Sequence, residues 1–216
     1  MTMEKGGEAL GSLPRTLEDF AGSRAALVMW DMQNGLAGRA INAVQVRENA
    51  KKLLAAAEKA SVPVFWSRHV LPPLDLTAGP FLLFLMNKQG VDHPSKLLPT
   101  MQPGGADTEF LAGLAPAAHH VVLEKSQPSL FIDTPLDLRL KTLGVRTLVL
   151  AGVATEIGIE FTARHAAALG YFSVIAEDAC GSYTNEAHAR SIAFLRGWTS
   201  PIATTAEICA IWNGQI

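Results

Sequence analysis

Two apolar patterns alternate along this chain. Short unbroken runs at Ala25–Trp30 (AALVMW), Val62–Ser67 (VPVFWS), His120–Leu123, Val145–Leu150, Tyr171–Ile175 and Trp198–Ala203 have the composition of strands covered on both faces. Pro63 is tolerable there because it stands at the beginning of its run. Between these runs the apolar positions recur every three or four residues. Val44–Ala60 places Val46, Ala50, Leu53, Leu54 and Ala57 on one side, and Leu136–Leu143 stops at Gly144. Further helices are expected at Leu17–Ala21, Thr155–Gly170, Asn185–Arg196 and Thr205–Trp212, with Thr155 as an N-cap. Strand–helix alternation at this spacing implies right-handed crossovers. The expected fold is α/β, with a central, mainly parallel six-stranded sheet between two helical layers.

Residues 70–108 break the rhythm. Prolines and glycines punctuate PPLDLTAGPFLLFLMNKQGVDHPSKLLPTMQPGGAD, and no period persists in it. A long excursion inside a small domain serves as a lid, a binding loop or a partner surface. Phe81–Met86 alternatively reads as a short core helix. The expected organisation is an extension at 1–24, then one domain at 25–216 carrying this insertion.

Composition narrows the function class. With 18 Lys and Arg against 20 Asp and Glu, the chain has no basic footprint for nucleic acid and no polybasic membrane patch. Its 49% hydrophobic content suits a well-buried domain that also associates with copies of itself. The opening residues lack the apolar core of a signal peptide, and no apolar run reaches spanning length. Cys180 and Cys209 have no metal-type spacing and read as reduced thiols, although a bridge between them stays open at this level. A cytoplasmic protein acting on a small molecule is the expectation.

Candidate chemistry gathers where strands end, because the carboxyl ends of parallel strands share one edge. Asp31 follows the first run, Arg68 and His69 follow the second, and Glu124-Lys125 follow the third. The fourth run leads through Gly152, Val153 and Ala154 into the helix bearing Gly158. Each residue alone has a plainer reading: Asp31 as a turn residue, Lys125 as a solvated charge, Arg68 and His69 as an exposed pair. Together, an acid and an amine at one crevice would hold each other's charge.

Three segments carry a specific resemblance: ALVMWDMQNG around Asp31, the stretch VVLEKSQPSLFIDTPLDLRLKTLGVRTLVLAGVATEIGIEFTARHAAALGY, and AEDACGS. Through them the chain resembles the isochorismatase-like (cysteine hydrolase) family over about residues 25–200. The resemblance implies a Rossmann-like fold and an aspartate, a lysine and a cysteine as catalytic set, at Asp31, Lys125 and position 158. Here that last position is Gly158, which excludes thioester chemistry there. The family's isochorismatases also carry glycine at this place. Their vinyl-ether hydrolysis makes the aspartate a general acid/base and needs no nucleophilic side chain. They typically have tyrosine where Ala154 stands and glutamine near the place of His69, so a different small anion is implied. The alternative is an amidohydrolase that has lost its nucleophile and acts as a non-catalytic binder.

On this reading Asp31, Lys125 and Gly158 are the catalytic positions, with Gly158 providing space for substrate. Trp30, Arg68, His69, Phe131, Val153, Ala154 and Thr155 are the substrate-binding candidates. The resemblance implies a cis peptide at Val153–Ala154 and a homodimer or homotetramer. Trp30 and Trp66 could form an aromatic wall, core packing being the plainer reading for at least one. Gln33 and Asn34 would hold the Asp31 loop. No organic cofactor is implied, and no metal is expected, because no Asp-x-His pattern follows His69 and His93 stands alone. His119 and His120 open a strand, and His165 and His188 fall mid-helix.

Overall fold

The computed structural model describes residues 13–198 and 200–215. Residues 1–12 of the expected 1–24 extension lie outside them. Six parallel strands form one sheet: β1 (Ala25–Trp30), β2 (Val64–His69), β3 (Val121–Lys125), β4 (Thr147–Val153), β5 (Phe172–Gly181) and β6 (Ile202–Ala203), in the order β3-β2-β1-β4-β5-β6. The order reverses beside β1, so a crevice opens at the carboxyl ends of β1 and its neighbours.

Alternation along β1 divides the core. Ala25, Leu27 and Met29 face one layer, made by α1 (Leu17–Ala21), α2 (Ala43–Lys59) and α7 (Thr205–Trp212), where Val46, Leu53, Ile208 and Trp212 are buried. Ala26, Val28 and Trp30 face the other, made by α4 (Leu136–Thr142), α5 (Glu160–Ala168) and α6 (Asn185–Gly197), with Leu140, Ala163 and Leu195. All six β1 side chains are buried, which is why the run has no polar position. Trp66 packs in the first layer and Trp30 in the second, so the two indoles form no common wall.

Two strands run further than the apolar runs predict. β4 continues through Ala151, Gly152 and Val153, all buried. Gly152 sits at φ +137°, and a Cβ there would stand 1.9 Å from the Trp30 carbonyl oxygen, so only glycine lets β4 pair this closely with β1. β5 does not stop at Ile175. A bulge carries it past Glu177 and Asp178, and pairing with β4 resumes at Cys180 and Gly181. Asp178 Oδ1 then accepts from Thr205 N and Oγ1 at the start of α7, each at 2.7 Å.

The 70–108 segment contains a helix, α3 (Gly79–Gln89), longer than Phe81–Met86 and ended by Gly90 at φ +65°. It rests on a small core of its own with Leu71, Leu85, Leu97 and Met101. Among the described residues no helix is long and apolar enough to cross a membrane.

Candidate active site

Asp31 lies one residue beyond β1 with its backbone at φ +45°, a left-handed conformation that aspartate tolerates better than most residues. Its amide donates to Ser67 Oγ at 2.8 Å, and Ser67 Oγ donates back to Asp31 Oδ1 at 2.5 Å. The other carboxylate oxygen accepts from Lys125 Nζ at 2.6 Å. Both charged side chains are almost out of water, at 4% exposure for Lys125 and 6% for Asp31. Burial pushes the Lys125 ammonium below the ordinary lysine range, opposed by the Asp31 charge. Lys125 Nζ also stands 4.4 Å from the centre of the Trp30 ring, a cation–π contact.

Strand parity decides which β2 residues reach this pair. Ser67 and His69 point to Asp31 and Lys125, and Arg68 points away. His69 pairs with Lys125 in register, and its Nδ1 lies 3.5 Å from Lys125 Nζ. Gln33 clamps the junction: its Oε1 accepts from His69 N at 2.7 Å, and its Nε2 donates to the carbonyls of His69 and Thr108 at 3.0 and 2.9 Å. It ties the Asp31 loop to β2 and to the end of the insertion.

Burial, with the Lys125 charge next, drives the His69 imidazole down to about 4, from an ordinary 6.5. The native ring is therefore neutral between these values while the unfolded ring takes up a proton. Its contribution to stability is complete above pH 6.5 and is lost as the pH falls towards 4. At roughly 1.4 kcal/mol per unit this is at most about 3 kcal/mol. Urea melts of wild type and His69→Gln at pH 7 and 4.5 are expected to show a shallower pH dependence in the variant. Equal slopes would remove His69 as the cause.

A cavity of about 420 Å³ opens beside the pair, and Trp30, Asp31, His69, Lys125, Val153, Ala154 and Gly158 line it. The Val153–Ala154 peptide is cis. The insertion supplies Phe81, Phe84, Leu85 and Lys88, and the β5–α6 loop supplies Tyr183. Lys88 Nζ sits 4.4 Å from the centre of the Tyr183 ring. Burial, reinforced by the charges of Asp31 and Glu156, pushes the Tyr183 phenol up to about 12. Among the described lining residues Asp31 is the one acid, against Arg39, Lys88 and Lys125. Such a lining attracts an anion.

Three of the expected contacts lie elsewhere. Arg68 pairs with Glu124 at 3.4 Å and covers the Phe110 ring at 4.8 Å. Phe131 stacks on Tyr171 at 5.7 Å, in the α4–α5 layer. Thr155 is not an N-cap: the helix opens with a π turn over Thr155–Ile159 flanked by Ala154, and the buried Thr155 Oγ1 donates to the Gly181 carbonyl at 2.9 Å. Gly158 does border the cavity but offers no free space on its own side, because a Cβ built there would stand 1.7 Å from Trp30 Nε1. The indole takes that place.

Neither thiol substitutes for a nucleophile here. Cys180 is buried in β5 with its thiol pushed up to about 12 by burial, and Cys209 lies on α7. The sequence reading missed Ser67, Arg39, Lys88 and Tyr183. Ser67 was discoverable, since it shares the parity of His69.

At the opposite edge of the sheet, by the amino ends of β2 and β3, Glu58, His119 and His120 bring ligand-type atoms within 4.8 Å of one another. His120 Nδ1 accepts from Trp66 Nε1 at 3.2 Å and from Ala117 N at 2.9 Å. An imidazole accepting at Nδ1 carries its proton on Nε2, so that nitrogen has no lone pair for a metal.

The Isochorismatase domain pattern matches residues 25–207. The chain belongs to the isochorismatase family. A ureidoacrylate amidohydrolase RutB from Enterobacter sp. (strain 638) is 31% identical over 209 residues, covering 88% of this chain and 90% of that one. The isochorismatase family protein YecD of Escherichia coli O157:H7 is 34% identical over 193 residues, covering 85% and 93%. Among solved structures, an isochorismatase-family protein from Chromobacterium violaceum ATCC 12472 superposes with a TM-score of 0.74 at 26% identity, over 94% of this chain and all of that one. A cysteine hydrolase from Pseudomonas syringae pv. phaseolicola 1448A shares the fold with a TM-score of 0.78 at 22% identity, over 89% and 94%. The chain is thus an isochorismatase-family hydrolase, and its buried Asp31–Lys125 pair lies at the carboxyl edge of that fold.

Proposed function

We propose that this isochorismatase-family hydrolase cleaves a small anionic molecule without a cysteine nucleophile, by vinyl-ether-type hydrolysis with Asp31 as general acid and base. The observation that carries the reading is the Asp31–Lys125 pair, buried beside a cavity whose helix-start position is Gly158. Burial holds the Lys125 ammonium below the ordinary lysine range, so across the 2.6 Å contact it can pass a proton to Asp31 Oδ2 as Asp31 delivers one to the substrate. Asp31 then protonates the terminal methylene carbon of an enol ether of pyruvate, leaving an oxocarbenium ion. Water adds to that cation and returns one proton to the Asp31 carboxylate. Breakdown of the hemiketal moves its hydroxyl proton to the departing oxygen, giving pyruvate and an alcohol. Arg39 and Lys88 suit the substrate's carboxylate.

The test uses 2-phenoxyacrylate, a minimal enol ether of pyruvate, with pyruvate and phenol as products. Asp31→Asn is expected to lower kcat about 100-fold or more, the ordinary range for loss of a positioned acid. An unchanged kcat in this variant takes Asp31 out of the mechanism. The relatives named ureidoacrylate amidohydrolase favour a second reading, an amidohydrolase site that has lost its nucleophile and now only binds. Tight binding of 2-phenoxypropionate, the saturated analogue, with no turnover of 2-phenoxyacrylate or ureidoacrylate would favour it.

A further inference from the structure

Trp30 is the last residue of β1 and pairs with Gly152 of β4, which fixes its backbone at the end of the strand. Its side chain turns towards α5, and the pyrrole edge of the indole lies across the start of that helix. A Cβ added to Gly158 would stand 1.7 Å from Trp30 Nε1, 2.1 Å from Cε2 and 2.6 Å from Cδ1. Ordinary carbon contacts begin near 3.5 Å, so no side chain at position 158 is compatible with this indole. The tryptophan and the glycine are one complementary pair.

The orientation of the indole has a chemical consequence. Trp66 Nε1 donates to His120 at 3.2 Å and Trp212 Nε1 to the Ala21 carbonyl at 2.8 Å. Trp30 Nε1 donates to no group among the described residues, although the residue is 0% exposed and borders the cavity with Gly158 and Asp31. Trp30 borders the cavity, where a ligand oxygen can accept from that N–H. Lys125 holds the ring face at 4.4 Å, which leaves the N–H edge, rather than the face, for the ligand.

We infer that the Trp30 indole N–H is a substrate-binding donor. It occupies the place that the family resemblance assigns to the cysteine side chain, and it donates a hydrogen bond to an acceptor oxygen of the ligand. Trp30 then selects ligands that present a carboxylate or ether oxygen at the helix start, beside Asp31 and Lys125. The inference shares the small-anion part of the proposed function and does not require turnover.

The experiment replaces Trp30 by 3-benzothienylalanine, which keeps the bicyclic shape and exchanges N–H for sulfur, with Trp30→Phe as a second variant. Binding of 2-phenoxypropionate is measured by calorimetry, and kcat and KM with 2-phenoxyacrylate. The benzothienyl protein is expected to melt within a few degrees of wild type while its Kd weakens about tenfold, the ordinary effect of one lost hydrogen bond. KM should rise more than kcat falls. A benzothienyl protein whose Kd stays within about twofold of wild type overturns the donor role. So does a wild type that binds no 2-phenoxypropionate. Where wild type binds the analogue without turning over 2-phenoxyacrylate, and the benzothienyl variant binds it less well, the Trp30 contact stands and the vinyl-ether chemistry falls.

Discussion

Lys125→Met is expected to lower the unfolding free energy by about 3–5 kcal/mol and to abolish turnover, the cost of leaving one member of a buried ion pair alone. Lys125 Nζ meets Asp31 Oδ2 at 2.6 Å, and both side chains are nearly sealed from water. After the substitution the Asp31 carboxylate keeps Ser67 as its hydrogen-bond donor but has no compensating charge. Methionine fills most of the lysine's volume, so the loss reports electrostatics rather than a cavity. The double variant Asp31→Asn/Lys125→Met removes both charges and should recover much of the loss, giving a coupling energy of about 2 kcal/mol or more in a double-mutant cycle. Urea melts of the four proteins at pH 7 provide the measurement. A Lys125→Met protein within about 1 kcal/mol of wild type would show that water reaches the pair more freely than the geometry indicates.

The sheet was legible because its strands are buried on both faces and carry no polar interruptions, as in AALVMW. The same property hid where strands end. Gly152 and Val153 lie past the predicted run Val145–Leu150, yet they belong to β4, since the pairing of Trp30 with Gly152 is a contact between segments 122 positions apart. Asp31 and Lys125 could be brought together by topology alone, as ends of parallel strands. Arg68 could not be rejected without fixing the parity of β2, which Ser67 sets by meeting Asp31. Lys88 and Tyr183 come from the insertion and from a loop after the β5 bulge, where no period constrains direction. Gly158 was read as open space because a missing side chain looks empty in one dimension. The indole that fills it comes from the far side of the sequence.

That packing sets the outcome of restoring the nucleophile. Gly158→Cys alone is expected to cost about 1–3 kcal/mol or more, because its Cβ falls within 1.7 Å of Trp30 Nε1 and the buried indole must leave its position. The new thiol would meet a displaced ring rather than the cavity, so no amidase activity should appear. Trp30→Val/Gly158→Cys removes the obstruction. Its sulfur would sit in the first turn of a helix near the Lys125 ammonium, two influences that favour thiolate. The valine leaves part of the indole's volume unfilled, so the double variant should be less stable than wild type, yet more stable than the sum of the single changes predicts. Alkylation by iodoacetamide between pH 5 and 9, in a Cys209→Ser background with Cys180 buried, would follow the new thiol. Fast, low-pH alkylation is expected of the double variant and slow alkylation of Gly158→Cys alone. Equal stability and equal reactivity in the two would mean that Trp30 yields its place at little cost, and the complementarity of Trp30 with Gly158 would then explain nothing about this site.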